Sequence, residues 1–248
     1  MDKNYRDFIE HLKQDTTKNN DKLVVLLNTP GGSVETVERF VNINKHFYNE
    51  VYFVVPDNAM SAGMVFCLSG DKIYMDYSSA LGPIDPQVYN GKQFVPALGY
   101  LDKVNEFVQK STNNCLSQAE LLLLQQNDLA FLRLCEQSRD LTVSLIKEWL
   151  VNCKFKNWNT HSQTGAVVTE YEKIERAKEI AMKLGDNSLW HTHGRCIDIL
   201  KLNAMGLKID DYSNNRELKE AIRTYNNLVI SFVEKMKFPI FLHSRNYV

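Results

Sequence analysis

Two short apolar runs rich in β-branched residues, KLVVLL at 22–27 and VYFVV at 51–55, bracket a segment whose apolar positions fall at Val34, Val37, Phe40, Val41 and Phe47. The outer runs have the length and composition of strands, and the inner spacing is that of a helix with one apolar face. Strand, helix, strand in that order needs a crossover, which makes the two strands parallel. The pattern then repeats. Small residues after Met60 suit a helix packed closely on a sheet, and KIYM at 72–75 reads as the next strand after Gly70-Asp71. Parallel sheets carry ligands outside the carboxyl ends of their strands. NTPGGS and NAMSAG each follow such an end, so they are expected to face one crevice.

Beyond residue 100 the periodicity is helical. Ser117 and Glu120 have capping-box spacing ahead of a run of four leucines, and DLTVSLIKEWL continues with helical apolar spacing. TEYEKIERAKEIAMKLG predicts an amphipathic helix closed by Gly185 in a left-handed cap. A last helix near 215–236 repeats apolar residues at Leu218, Ile222, Tyr225, Val229, Phe232 and Met236. Between these helices the polar stretch NCKFKNWNTHSQTGAVV, 152–168, reads as a surface loop.

Composition narrows this picture. A chain of 248 residues with 44% apolar content can bury one substantial core. The expected division is an α/β core over 1–110, and a helical region over 111–248 that completes the same functional domain and offers an oligomerisation surface. Basic and acidic residues number 29 and 30, with no basic stripe to meet phosphates, so no nucleic-acid partner is expected. The five cysteines form no CxxC pair and suit reduced thiols in a cytoplasm. No apolar run approaches the roughly 18 residues of a membrane span, and MDKNYRDFIEHLK is too polar for a signal peptide. The expectation is a cytoplasmic protein with no membrane span.

AMSAG at 59–63 sets a serine among small residues just past a strand. Ser61 reads either as a helix cap or as a nucleophile displayed at the mouth of a sheet. Gly31-Gly32 reads either as a strand-to-helix turn, with Ser33 capping the helix, or as a bend that brings an amide N–H to a substrate with no Cβ in the way.

Taken together, LNTPGGSVETVERFV and VVPDNAMSAGMVFCLSGDKIYMDYSSALGPIDPQ resemble the ClpP/crotonase superfamily, most closely the serine dehydrogenase proteinase family of Clp-fold serine peptidases. AKEIAMKL, HTHGR and MGLKIDDY are similar to that family's C-terminal half. The resemblance implies a ClpP/crotonase-like parallel β-sheet core with a helical C-terminal half, and a homo-oligomeric peptidase acting on peptide or unfolded protein without a cofactor. It implies Ser61 as nucleophile and the N–H groups of Gly32 and Ala62 as the oxyanion hole. Relatives carry a further strand before the first helix, where this chain has only MDKNYRDFIEHLK ahead of KLVVLL.

The base departs from the ClpP pattern. The stretch in which ClpP-type peptidases carry the triad histidine reads SSALGPIDPQ here and holds none. His193 in HTHGR is one replacement; Lys110 or Lys103 is another, since related signal-peptide peptidases draw a catalytic lysine from about that region. An imidazole with an ordinary pKa near 6.5 serves as base without special burial, whereas a lysine must be desolvated, which favours His193. Asp85 either orients the base or initiates a turn before Pro86. Arg195 either binds a substrate carboxylate or ties its loop to an acidic side chain. His191, His193 and Cys196 lack a fourth ligand at zinc spacing, so no metal is expected. Two other readings are a catalytically silent Clp-fold scaffold that binds a partner, and a crotonase-like acyl-CoA enzyme, which would not need Ser61.

Overall fold

The computed structural model describes residues 2–14, 21–161 and 163–245. The chain runs α1 (Asp2–Gln14), β1 (Lys22–Leu26), α2 (Val34–Phe47), β2 (Glu50–Val54), β3 (Asn58–Ala59), α3 (Ala62–Leu68), β4 (Lys72–Met75), β5 (Ala80–Leu81), β6 (Gln87–Tyr89) and β7 (Phe94–Pro96). It continues through α4 (Ala97–Thr112), α5 (Gln118–Gln125), α6 (Leu129–Trp149), α7 (Glu170–Gly185), α8 (Asn187–Trp190), α9 (Ile199–Ala204), β8 (Asp210–Asp211) and α10 (Arg216–Met236).

The central sheet has the order β1-β2-β4-β8, and every pairing in it is parallel. Its first three strands are the runs that the hydrophobic pattern marks out, and the fold is α/β. In β2, Val51 and Phe53 are buried between half-buried neighbours, as a pleated strand with one core face requires. Helix α2 starts where it does because Ser33, in an extended conformation, accepts the Thr36 N–H at 3.1 Å. Helix α3 is buried along its whole length, which its small and apolar residues allow.

The main core joins Phe53, Met64, Leu68, Ile73, Met75 and Leu81 with Ile146, Leu150, Ile180, Leu184 and Ile197 from the later helices and loops. Each such side chain contributes about 1.5–3 kcal/mol of transfer free energy. A smaller cluster joins Val88 and Val95 of the antiparallel β6–β7 hairpin with Ala97 and Leu101 of α4 and Cys135 of α6.

Past the carboxyl ends of β1 and β2 the backbones stay zipped together. Leu27 N–H donates to Val54 O at 2.8 Å, Thr29 N–H to Asn58 O at 2.9 Å, and Met60 N–H to Thr29 O at 3.0 Å. On the other side β3 pairs with β5, and Leu81 exchanges bonds with Ile197 at 2.8 and 3.0 Å. Four segments far apart in sequence thus lie side by side: 27–29, 57–60, 80–82 and the stretch at Ile197.

Two local expectations are corrected. Gly185 is the last residue of α7 and does not form a left-handed cap; the next residue, Asp186, takes over by accepting the N–H groups of Ser188 and Leu189, which ends α7 and starts α8. The stretch 152–168 is not a surface loop throughout. It opens inside a π turn, Leu150–Lys154, that extends α6, and it buries Cys153, Phe155 and Val168, because apolar burial outweighs the polarity of its neighbours; Ser162 lies outside the described residues. Helix α10 forms as its spacing predicts, but Leu218, Tyr225, Phe232 and Met236 stay exposed and its buried residue is Asn226.

Candidate active site

Ser61 stands between β3 and α3 with φ 51 and ψ −120, a conformation that a side chain with a Cβ adopts at a cost of about 1–3 kcal/mol. Its hydroxyl does not cap the helix that follows. The surrounding glycines explain how the position is reached. Gly31 has φ 111, and a Cβ there would lie 2.8 Å from Met60 O and 2.9 Å from Ser61 Cβ. Gly82 closes the opposite side, where a Cβ would lie 3.0 Å from Ser61 N. The serine is therefore gripped between two glycine backbones.

Gly31 also brings the two loops together, since its absent Cβ would be only 3.6 Å from the Ala62 N–H group's nitrogen. Among the described residues neither the Gly32 N–H nor the Ala62 N–H meets an acceptor, whereas the neighbouring amides of Gly31 and Gly63 bond to Thr29 Oγ1 and Met60 O. The Ala62 amide follows Ser61 directly, and the Gly32 amide follows the Gly31 backbone that packs against Ser61.

His193 follows α8 in the turn after His191, which itself sits in the left-handed region at φ 63. Its Nδ1 lies 2.7 Å from Asp85 Oδ1; the imidazole is about one-third exposed and the carboxylate 2% exposed. Gln87 Nε2 donates to the other oxygen, Asp85 Oδ2, at 2.8 Å and stands 3.3 Å from His193 Nδ1. A carboxylate facing Nδ1 favours the tautomer with the proton on that nitrogen, and in the neutral ring of that tautomer Nε2 is the acceptor. The bonds between β3 and β5 and between Leu81 and Ile197 lay the Asp85 and His193 segments alongside the serine loop.

The lysines are placed differently. Lys110, on α4, lies 2.9 Å from Glu106 and 2.6 Å from Glu120 of α5, and these carboxylates, Glu120 foremost, raise its pKa. Lys103 pairs with Glu106 at 2.8 Å on the exposed face of α4. Arg195 is exposed, and among the described residues its side chain forms no ion pair. No cluster of three His, Cys, Asp or Glu side chains suited to a metal occurs among the described residues, and no helix among them is long and apolar enough to cross a membrane.

Sequence reasoning passed over Gln87, Gly82, Asp57 and Asp76. Both aspartates follow a strand in turn-like contexts, PDN and MDYSS, a signal for a backbone-bonded carboxylate. Nothing local marks Gln87.

The crossover parallel sheet thus carries a strained serine past one strand end and unbonded amides past the ends of β1 and β3. Residues 10–187 match the profile of the ClpP-like SDH-type serine proteinases, and the chain belongs to that family. Among curated relatives it is 28% identical over 164 residues to one uncharacterized protein of Methanocaldococcus jannaschii, covering 66% of this chain and 53% of that one. A second from the same organism is 25% identical over 186 residues, covering 75% and 51%. The chain thus spans about half the length of the curated relatives it matches. Among solved structures, the 1510-N membrane-bound stomatin-specific protease, as a lysine-to-alanine variant with a substrate peptide, superposes with a TM-score of 0.49 at 15% identity, over 88% of this chain and 73% of that one. Its serine-to-alanine variant gives 0.49 at 14% identity, over 88% and 77%.

Proposed function

We propose that the protein is a serine peptidase in which Ser61 attacks the scissile carbonyl. His193 Nε2 takes the hydroxyl proton as the Oγ–C bond forms, Asp85 holds the imidazole, and the N–H groups of Gly32 and Ala62 receive the oxyanion. The same Nε2 then protonates the leaving amine as the C–N bond breaks, and water, activated in the same way, releases the acyl group. The observation that carries this reading is Ser61 itself, a non-glycine held at φ 51 whose hydroxyl is not spent on capping.

His193 is preferred to Lys110 as base because Asp85 orients it, whereas two carboxylates hold Lys110 protonated. The substrate class is peptide or unfolded protein, with no cofactor. The setting we propose is the cytoplasm, since the cysteines are all free thiols. Assembly with further copies is proposed from the leucines of α5 and the apolar stripe of α10, both exposed in the single chain. A sharp monomer mass near 28.6 kDa by light scattering at micromolar concentration would contradict assembly. The function is tested by peptide turnover: Ser61→Ala and His193→Ala each abolish it if the reading is right. Turnover that survives both substitutions refutes it, and a folded wild type without any turnover points to the scaffold reading.

A further inference from the structure

Arg223 and Asn226 lie three residues apart on α10 and share one helix face. That face meets the body of the protein: Asn226 is 3% exposed, while Leu218, Leu228 and Phe232 point outward. The fully buried contact of this helix is thus polar, with Ile222 and Val229 of its apolar stripe half-buried beside it and Leu218, Tyr225, Phe232 and Met236 exposed. Asn226 Nδ2 donates to Asp57 Oδ2 at 2.6 Å. Arg223 Nε donates to Asp76 Oδ2 at 2.9 Å, and its Nη2 reaches the same oxygen at 2.5 Å and Ser78 Oγ at 2.7 Å. Asp76 is fully buried, and its N–H donates to Ser79 Oγ at 2.9 Å, whose hydroxyl in turn donates to Val55 O at 2.6 Å.

These aspartates follow the carboxyl ends of β2 and β4. Asp57 is a junction: its Oδ2 also receives Asn28 Nδ2 at 3.4 Å, and its carbonyl accepts Ala80 N–H at 2.7 Å. Asn28 leads into the Gly31-Gly32 bend, and Asp57 leads into Ser61. One face of α10 is thus bonded directly to the serine loop and to the turn that leads to β5, and through Asp57 to the loop of the oxyanion amides. Directional, charge-assisted bonds fix such a geometry more tightly than apolar packing, which tolerates sliding.

We infer that α10 is a clasp that sets the serine loop against the oxyanion loop, with Asn226 and Arg223 as positioning residues for Ser61. The clasp stands on these contacts alone; its kinetic consequence rests on the serine-peptidase reading. A misplacement of about 1 Å at such a site costs on the order of 100-fold in rate.

The test uses Asn226→Ala, Arg223→Lys, and the double variant Asp57→Asn with Asn226→Asp, which reverses donor and acceptor. Two quantities are read: amide hydrogen exchange at Thr29 and Met60, and fluorophosphonate labelling resolved into its binding constant and its maximal rate. The clasp predicts that exchange at those two amides rises at least about tenfold in both single variants while the β1–β2 ladder amide of Val25, on the same side of β1 as the Leu27 N–H, is unchanged. It also predicts a maximal labelling rate at least about tenfold lower with the binding constant unaltered, and recovery of both in the double variant. Unchanged exchange at Thr29 and Met60, or a uniform rise through the sheet, overturns the clasp. If Asn226→Ala does not fold, Arg223→Lys and the double variant carry the same comparison. Local loosening in a protein whose wild type takes no label leaves the clasp standing and refutes the peptidase reading instead.

Discussion

Asp85 presents Oδ1 to Nδ1 of His193 at 2.7 Å across 108 residues of sequence, and it is nearly inaccessible to solvent. A buried carboxylate whose other oxygen is satisfied by Gln87 has one strong use for the first, namely to hold the imidazole by its Nδ1–H. Replacing Asp85 with Asn keeps the shape and removes the charge, so the ring loses its preferred tautomer. Peptide turnover by Asp85→Asn is expected to fall by roughly 100- to 10,000-fold with little change in KM. Turnover within about threefold of wild type would leave the His193–Asp85 pair without a catalytic part.

Lys110→Ala is expected to leave turnover intact. Glu106 and Glu120 keep the ammonium charged at neutral pH, and a charged amine takes no proton from a serine. Because the pair is solvent-exposed, Tm should stay within about 2 °C of wild type. Loss of turnover in Lys110→Ala, with His193→Ala active, would move the base to the lysine.

Gly31→Ala and Gly91→Ala separate backbone strain from damage to the site. Both glycines have positive φ, 111 and 90, so an alanine at either costs about 1–3 kcal/mol, read as a lowered urea midpoint. Only at Gly31 would the new Cβ strike Met60 O and Ser61 Cβ; at Gly91 nothing lies within 4 Å. Turnover should therefore collapse in Gly31→Ala and persist in Gly91→Ala. Equal turnover in both would mean that the Gly31 backbone does not shape the serine loop.

Lys154 gives a pH signature of folding. Burial at the end of the π turn lowers its pKa to about 8, against a weaker opposing pull from Asp210. Between that value and the ordinary 10.5 the unfolded chain binds the proton that the folded chain has released, so this group's contribution to stability rises with pH through that window. Below pH 8 both states are charged and the full penalty is present. Lys154→Met is expected to gain about 1–3 kcal/mol at pH 7 and to flatten the rise between pH 8 and 10 relative to wild type. Urea unfolding at pH 7 and pH 10 checks it, and an unstabilised variant at pH 7 would mean that the ammonium reaches water.

The parallel core was legible because its signal is local: β-branched runs, helical spacing and a glycine pair each fall within one short window. The TPGGS and AMSAG tracts are contiguous and marked Gly31-Gly32 and Ser61 as candidates, while the roles of Gly32 and Ala62 came with the family resemblance of those tracts. The partner of His193 was harder to read, because Asp85 in GPIDPQ has the appearance of a turn residue until β5 and Ile197 lay the two loops side by side. Arg223 and Asn226 were not legible at all. Polar residues three apart on an amphipathic helix read as the solvent face, and here Asn226 is buried while most of the apolar stripe, Leu218, Tyr225, Phe232 and Met236, is exposed. Gly185 misled for a related reason, since the cap depended on what Asp186 would bond to.

The central claim is that Ser61 is an activated nucleophile, and the most direct measurement is covalent labelling with a fluorophosphonate, with the modified residue located by peptide mass mapping. The account predicts one adduct per chain on Ser61 in the wild type, none in Ser61→Ala, and melting temperatures for the two within about 2 °C, because the serine buries little apolar surface. Equal labelling of wild type and Ser61→Ala, or an adduct mapped to another residue of the folded wild type, would contradict it.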